Sequence, residues 1–126
     1  MCDKNNNGNC FANILEKIIL LQQIGQNNTL GCDKPFLGNT SLIANTRPLN
    51  IYSCCNNTLW SIPYNYNNQQ GTSSFFRVEN INDNCATFRI LIREENSYTA
   101  TNNFFIMNLN CIGSIKCLAD TLIENI

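Results

Sequence analysis

Residues 75–93, FFRVENINDNCATFRILIR, decide the fold. Phe76 and Val78 alternate with Arg77 and Glu79, and Ala86, Phe88, Ile90 and Ile92 alternate with Thr87, Arg89 and Arg93. A period of two marks strands with one buried face. Between them, Asn82-Asp83-Asn84 are residue types that accept turn geometry and bond their own backbone. The stretch predicts a β-hairpin with bulk on its inner face and charge on its outer face. The expected register sets Glu79 opposite Arg89 across a five-residue loop, residues 82–86. A three-residue loop would keep the same apolar faces but oppose Arg77 and Arg89, and opposed like charges cost roughly a few tenths of a kcal/mol.

Upstream of the hairpin, residues 1–9 are polar and aperiodic and read as a disordered N-terminal arm carrying Cys2. Residues 10–24 turn helical, with Phe11, Ile14, Leu15, Ile18, Leu21 and Leu20 or Ile24 as the apolar stripe. Asn9 suits the N-cap and Gly25 the stop. Residues 26–45 are loop-like. Residues 46–52, TRPLNIY, read as a strand, held to an edge or a strand start by Pro48. A turn at Cys54-Cys55-Asn56-Asn57 precedes a short strand at 59–64 ended by Pro63, and residues 65–74 read as a mobile loop. Downstream, 94–103 is a polar connection, 104–109 (FFIMNL) a strand, and 111–123 a further strand with a short helical turn. The expected fold is mainly β: an antiparallel β-sandwich or small barrel with one N-terminal amphipathic helix, in a single domain 10–126 whose β-rich body is 31–126.

A chain of 126 residues can bury a real core without disulfides. Hydrophobic residues make up 44% but charged residues only 13%, about half the usual share. Asn, Thr, Ser and Gln supply the missing polarity, a bias that an AT-rich genome would also produce. The net charge of −1 offers no basic field for nucleic acid or an anionic membrane. A near-neutral, charge-poor surface resists self-association weakly, which suits a protein that assembles. No apolar run reaches the ~18 residues of a spanning helix, and no secretory signal is expected from the first residues.

The chain has no histidine, which removes the usual general base and the commonest metal ligand. No cysteine lies in a basic cluster that would activate it, since Lys116 beside Cys117 is a single neighbour. Glu94 and Glu95 would diverge on a strand, no phosphate loop appears, and the cysteine spacings form no zinc knuckle. The expectation is a non-enzyme without catalytic, cofactor-binding or metal-binding residues.

Eight cysteines remain as disulfide or cross-linking candidates: Cys2, Cys10, Cys32, Cys54, Cys55, Cys85, Cys111 and Cys117. Disulfides are rare in reducing cytosol, so a cysteine-rich chain without an export signal needs a special explanation. On a strand, Cys111 and Cys117 would share a face but lie about 20 Å apart. That exceeds the ~7 Å limit for a disulfide unless Gly113 folds the chain back. Cys54 and Cys55 could bond only through a strained small ring, and in an extended chain they would point to opposite sides. Cys2 on the arm, with Cys10 beside it, is the best-placed candidate for links between subunits.

Several blocks stand in a telling order: Gly31-Cys32-Asp33-Lys34-Pro35-Phe36-Leu37-Gly38, Ala44-Asn45-Thr46-Arg47-Pro48, Phe76-Arg77-Val78-Glu79, Asp83, Cys85-Ala86, Arg89-Ile90-Leu91, Asn110-Cys111 and Ile115-Lys116-Cys117-Leu118-Ala119-Asp120. This set resembles the CotY/CotZ/ExsY family of cysteine-rich spore outer-coat and exosporium proteins. Cys54-Cys55, the Asn-rich loop at 65–70 and the short arm depart from its pattern. The resemblance implies a structural protein that self-assembles, as a hexamer and then a roughly hexagonal lattice cross-linked by disulfides. It places Cys32, Cys85, Cys111 and Cys117 at family cysteine positions. Its implied partners are itself and other spore coat or exosporium proteins, with no nucleic acid and no membrane. Such a protein is made in the mother-cell cytoplasm without a signal peptide and ends at the spore surface, so its thiols stay reduced during assembly and oxidise after lysis. Two other classes fit the residues: a monomeric β-sandwich that recruits another coat protein or a glycan, and a phage-type capsid or decoration protein.

Overall fold

A computed structural model describes Cys10–Asn27 and residues 44–126. The arm at 1–9, the Asn9 cap, Cys2, Cys32 and the block at 31–38 lie outside the described residues. Helix α1 (Cys10–Asn27) is followed by β1 (Leu49–Ser53), β2 (Ile62–Tyr66), β3 (Gln69–Ser73), β4 (Phe75–Asn82), β5 (Cys85–Arg93), β6 (Tyr98–Asn108), a 3₁₀ turn (Leu109–Cys111) and β7 (Ile112–Cys117). All pairings are antiparallel. One sheet has the order β6-β5-β4-β1-β7, and β2-β3 form a second, two-stranded sheet. The chain is thus mainly β with an N-terminal helix, as its periodicity implies, and among the described residues no strand pairs beyond β6 or β7, so the large sheet does not close into a barrel.

The large sheet is strongly curled. Its outermost strands, β6 and β7, are consecutive and joined by only three residues. Four chain steps reach at most about 14 Å, whereas four inter-strand spacings of a flat sheet span about 19 Å. The two edges must therefore converge at that end. The single register pair between β1 and β4, Leu49 with Phe76, marks where the sheet splays to allow it.

The β4-β5 hairpin carries the core as its pattern predicts, with a different register. Asn82 pairs with Cys85 around the two-residue turn Asp83-Asn84, where Asp83 takes a φ of 55°, and Arg77 stands directly opposite Arg89. The expected Glu79–Arg89 pairing is therefore wrong. The register shifts between Val78 and Asn80, so Glu79 occupies a bulge. From there its Oε2 accepts from Arg77 Nη1 at 2.7 Å and from Arg89 Nε at 3.0 Å. A shared carboxylate removes the repulsion that argued against this register.

Phe76, Val78, Phe88 and Ile90 are buried on the inner face with Leu49, Ile51 and Met107. Phe105 of β6 packs edge-on to Phe76, with centroids 4.9 Å apart, and stacks on Phe88 at 5.4 Å. Burial of each such side chain stabilises the fold by roughly 1.5–3 kcal/mol. Helix α1 covers this face through Leu15 and Ile18, with Phe11, Ala12 and Ile19 packed around them. The stripe is narrower than expected, since Ile14, Leu20, Leu21 and Ile24 are exposed. Gln22 takes an inner place instead: its Nε2 donates to Val78 O at 2.9 Å and its Oε1 accepts from Arg47 N at 3.1 Å. Gly25 does not stop the helix, which runs on to Asn27. A Cβ there would sit 1.7 Å from Ala44 O, so glycine permits close approach of the chain.

The stretch expected to be a mobile loop, 65–74, belongs to a second hairpin. Asn67 and Asn68, at φ 52° and 65°, form its two-residue turn, and both lie in the left-handed region that type I′ turns require. Pro63 does not end β2 but lies inside it, tolerated because β2 pairs only with β3. Ile62, Tyr64 and Trp60 pack onto the main core, so this hairpin and the helix share a layer over the large sheet. On the other end of the chain, β6 begins at Tyr98 and shortens the expected connection to the turn at 94–97.

Candidate functional site

Among the described residues, the blocks at 44–48, 76–79 and 89–91 and the end of the last one, Asp120, meet on the outer face of the sheet. Arg77 is only 4% exposed. Besides Glu79, it donates through Nε to Thr46 Oγ1 at 3.0 Å and through Nη2 to Asn45 O at 3.1 Å. Arg89 Nη1 donates to Thr101 O at 3.0 Å. Asn45 binds the C-terminal segment in both directions: its Nδ2 donates to Ile123 O and its Oδ1 accepts from Ile123 N, each at 2.9 Å. Thr46 pairs with Thr121. Arg47 grips Asp120 with two hydrogen bonds of 2.6 and 2.9 Å. That hydrogen bond from Arg47 holds the Asp120 carboxyl below the usual carboxylate range, and in return raises the Arg47 guanidinium. Ile123 is buried against Leu91 and Ala100. The charged outer face of the hairpin is therefore covered by residues 44–48 and 118–126, and the shared blocks hold the fold together. Periodicity gives no hint of this cover, because it reports only which face carries charge.

The six described cysteines lie at or near the surface. Cys10, the first residue of α1, is exposed, as are Cys55, Cys85, Cys111 and Cys117, while Cys54 is partly covered. Cysteine is among the residue types most often buried, so six described cysteines without one in the core is an unusual distribution. Cys85 opens β5 opposite Asn82 and Asn108. Leu109 N donates to Asn84 O at 2.8 Å, tying the 3₁₀ turn that ends in Cys111 to the same end of the sheet. Cys54 N donates to Cys111 O at 2.9 Å, which brings the turn after β1 there too. Cys54, Cys55, Cys85 and Cys111 thus gather at one end, and Cys117 closes the opposite end of β7, opposite Leu49. Strand β7 runs on without folding back at Gly113, so Cys111 and Cys117 stand at its two ends.

The turn after β1 is tightly specified. Ser53 N donates to Thr58 O at 2.9 Å, Asn57 N to Ser53 O at 3.1 Å, and Ser53 Oγ to Asn56 Oδ1. Asn57 takes a φ of 54°. A Cβ on Gly113 would lie 2.7 Å from Ser53 O and 2.8 Å from Cys54 Cα, so the turn is pressed against β7. Because the chain bends here, Cys54 and Cys55 do not point apart as an extended chain would place them, and their sulfurs stand 3.9 Å apart. No group of three or more Cys, Asp or Glu among the described residues is placed to hold a metal ion. No helix among them is long and apolar enough to cross a membrane.

The family model described as Spore coat protein Z matches residues 1–104. The match takes in the helix, the Ala44–Pro48 and Phe76–Glu79 blocks and Cys85, and stops short of Cys111, Cys117 and Asp120. No curated protein and no solved structure matches.

Proposed function

Since the chain belongs to the spore coat protein Z family, we propose that it is a structural protein of the bacterial spore surface, in coat or exosporium, that assembles with copies of itself into an ordered layer cross-linked by disulfides. The observation that carries this reading is the display of thiols at the surface rather than in the core. The exposed thiols stand at several places on the fold, at both ends of β7, at the sheet end and at the start of α1, as links to more than one neighbour require. The sheet edges β6 and β7, apart from Ala100 whose N and O are held by the Asn125 side chain, add backbone groups that another strand can pair with. The partners are further copies of the chain and other coat or exosporium proteins. Synthesis in the mother cell keeps the thiols reduced, and oxidation follows its lysis.

Electron microscopy of the purified chain, with and without reductant, tests this. The expected result is closed rings or sheets larger than a dimer in both, with a high-mass ladder on non-reducing gels only after oxidation. Cys2→Ser with Cys10→Ser should thin that ladder while unheated assemblies persist. A sharp monomer peak at high concentration in low and high salt, without ordered arrays, would end the proposal. A second reading has one observation in its favour. An open cleft of about 550 Å³, bounded by Tyr64, Asn65, Gln70, Thr72 and Asn103, carries amides, hydroxyls and an aromatic ring but no charge, as a neutral sugar would need. A monomer that binds glycan would favour that reading.

A further inference from the structure

We propose that Cys54 and Cys55 are a thiol–disulfide exchange site whose substrates are small disulfides, and that the two cysteines close on each other rather than on a neighbouring chain. Three observations carry the proposal. The sulfurs are 3.9 Å apart on one turn, nearly within reach of the ~2.05 Å bond. Cys55 is exposed and Cys54 partly so, so a small disulfide has access. The turn is fixed by the backbone hydrogen bonds of Ser53, Cys54 and Asn57 and by its contact with Gly113, so both thiols stay on one side of it.

The exchange proceeds in two steps. One thiol of the pair loses its proton to solvent and attacks a sulfur of the small disulfide, which releases one small thiol and leaves a mixed disulfide on the turn. The second thiol of the pair, deprotonated in turn, attacks the protein sulfur of that mixed disulfide. This releases the second small thiol and closes the Cys54–Cys55 bond. Two protein thiols are oxidised by two electrons and one small disulfide is reduced. The second step is intramolecular, at an effective concentration of about millimolar or more, so it outruns capture by another chain at micromolar concentration. Adjacent cysteines close an eight-membered ring that strains the turn. Strained, exposed disulfides are the readily reduced ones, so the pair can give its oxidation back to other thiols. It therefore acts as a reversible store of oxidation beside Cys111 rather than as a permanent link.

The test uses the full chain, reduced and then exposed to oxidised glutathione, with remaining thiols alkylated before chymotryptic mapping. Cleavage after Tyr52 and Leu59 isolates Cys54 and Cys55 on one peptide. In the wild type this peptide should be two hydrogens lighter than the dithiol and carry no glutathione. Cys55→Ser should instead hold glutathione on Cys54, and Cys54→Ser should hold it on Cys55, with at least tenfold more adduct than wild type. Circular dichroism on both variants confirms that the turn change leaves the fold intact. A wild-type peptide linked to the Cys111 peptide, linked to another chain, or holding glutathione on both thiols would overturn the proposal. The assembly reading stands or falls separately, because the Cys54→Ser, Cys55→Ser double variant keeps the six other cysteines and should form the same arrays.

Discussion

Glu79→Gln isolates the charge at the centre of the buried network. Its Oε2 lies 2.7 Å from Arg77 Nη1 and 3.0 Å from Arg89 Nε, between two arginines directly opposed in the ladder. Glutamine keeps the shape and one neutral acceptor but removes the carboxylate charge that the two guanidinium groups share. Removing one partner of a fully buried pair costs about 3–5 kcal/mol. Here the cost is smaller. Glu79 and Arg89 are each about one-fifth exposed. Arg77 also keeps Thr46 Oγ1 and Asn45 O, and Arg89 keeps Thr101 O. The expected loss is about 2 kcal/mol, a large part of a typical net stability of roughly 5–15 kcal/mol. For a chain of this length that is a fall in Tm of roughly 6–12 °C. Urea unfolding in reductant at low protein concentration measures it without cross-links. The midpoint should fall at constant slope, and salt should change the difference little because the pair is largely covered. A loss below about 0.5 kcal/mol, the size of an exposed pair, would refute the account of why Arg77 opposes Arg89.

Gly25→Ala should destabilise by about 2 kcal/mol or more in the same unfolding assay, because its Cβ meets Ala44 O at 1.7 Å and overpacking outweighs alanine's helix preference of about 1 kcal/mol; a stabilised variant would show that the helix and residue 44 do not press together. Asp120→Asn should lower stability at pH 7 by less than about 1 kcal/mol, since the pair with Arg47 is half-exposed. The folded carboxyl lies below its unfolded value of about 3.9. Its contribution is therefore full above that value and is lost as pH falls through the lowered folded value, so wild type and variant should converge in strong acid; a gap that widens on acidification would give the pair the wrong sign.

The β4-β5 hairpin was legible from alternation alone, because period two needs only the residues of one strand, whereas the first half of β6 was hidden in a polar stretch. What alternation does not report is the other layer. Arg77 and Arg89 read as a solvated face, and they are solvated in an isolated hairpin. The chain covers them with residues 44–48 and 118–126, distant in sequence and irregular in form, which no local period signals. The second hairpin was missed for a related reason. Residues 65–74 are rich in Asn and Gln, which read as loop, yet Asn67-Asn68 is a pair able to take left-handed geometry at both turn positions. The helix was legible in place and nearly in length, but its many leucines and isoleucines suggest a wider buried stripe than the one formed, with Ile14, Leu20, Leu21 and Ile24 exposed. Gln22 faces inward and donates to Val78 O, next to the Glu79 bulge, and an apolar count cannot foresee that.

The positions of the cysteines and of the shared blocks separate two tasks within one small chain. The core around Phe76, Phe88 and Phe105 and the network around Arg77 hold the described fold, and none of the six described cysteines belongs to either. Folding in a reducing compartment then needs no sulfur chemistry, as a chain of this size does not require staples. Oxidation can come later and join bodies that are already rigid. A link between rigid bodies also fixes their relative geometry, whereas one between loose segments would only tether them. Cys85 and Cys111 sit on or beside strands at one end of the curled sheet, and Cys117 ends β7 at the other. A layer built through these positions would inherit its spacing from the sheet itself, and the Cys54-Cys55 turn would sit among them as the point where oxidation can be held and released.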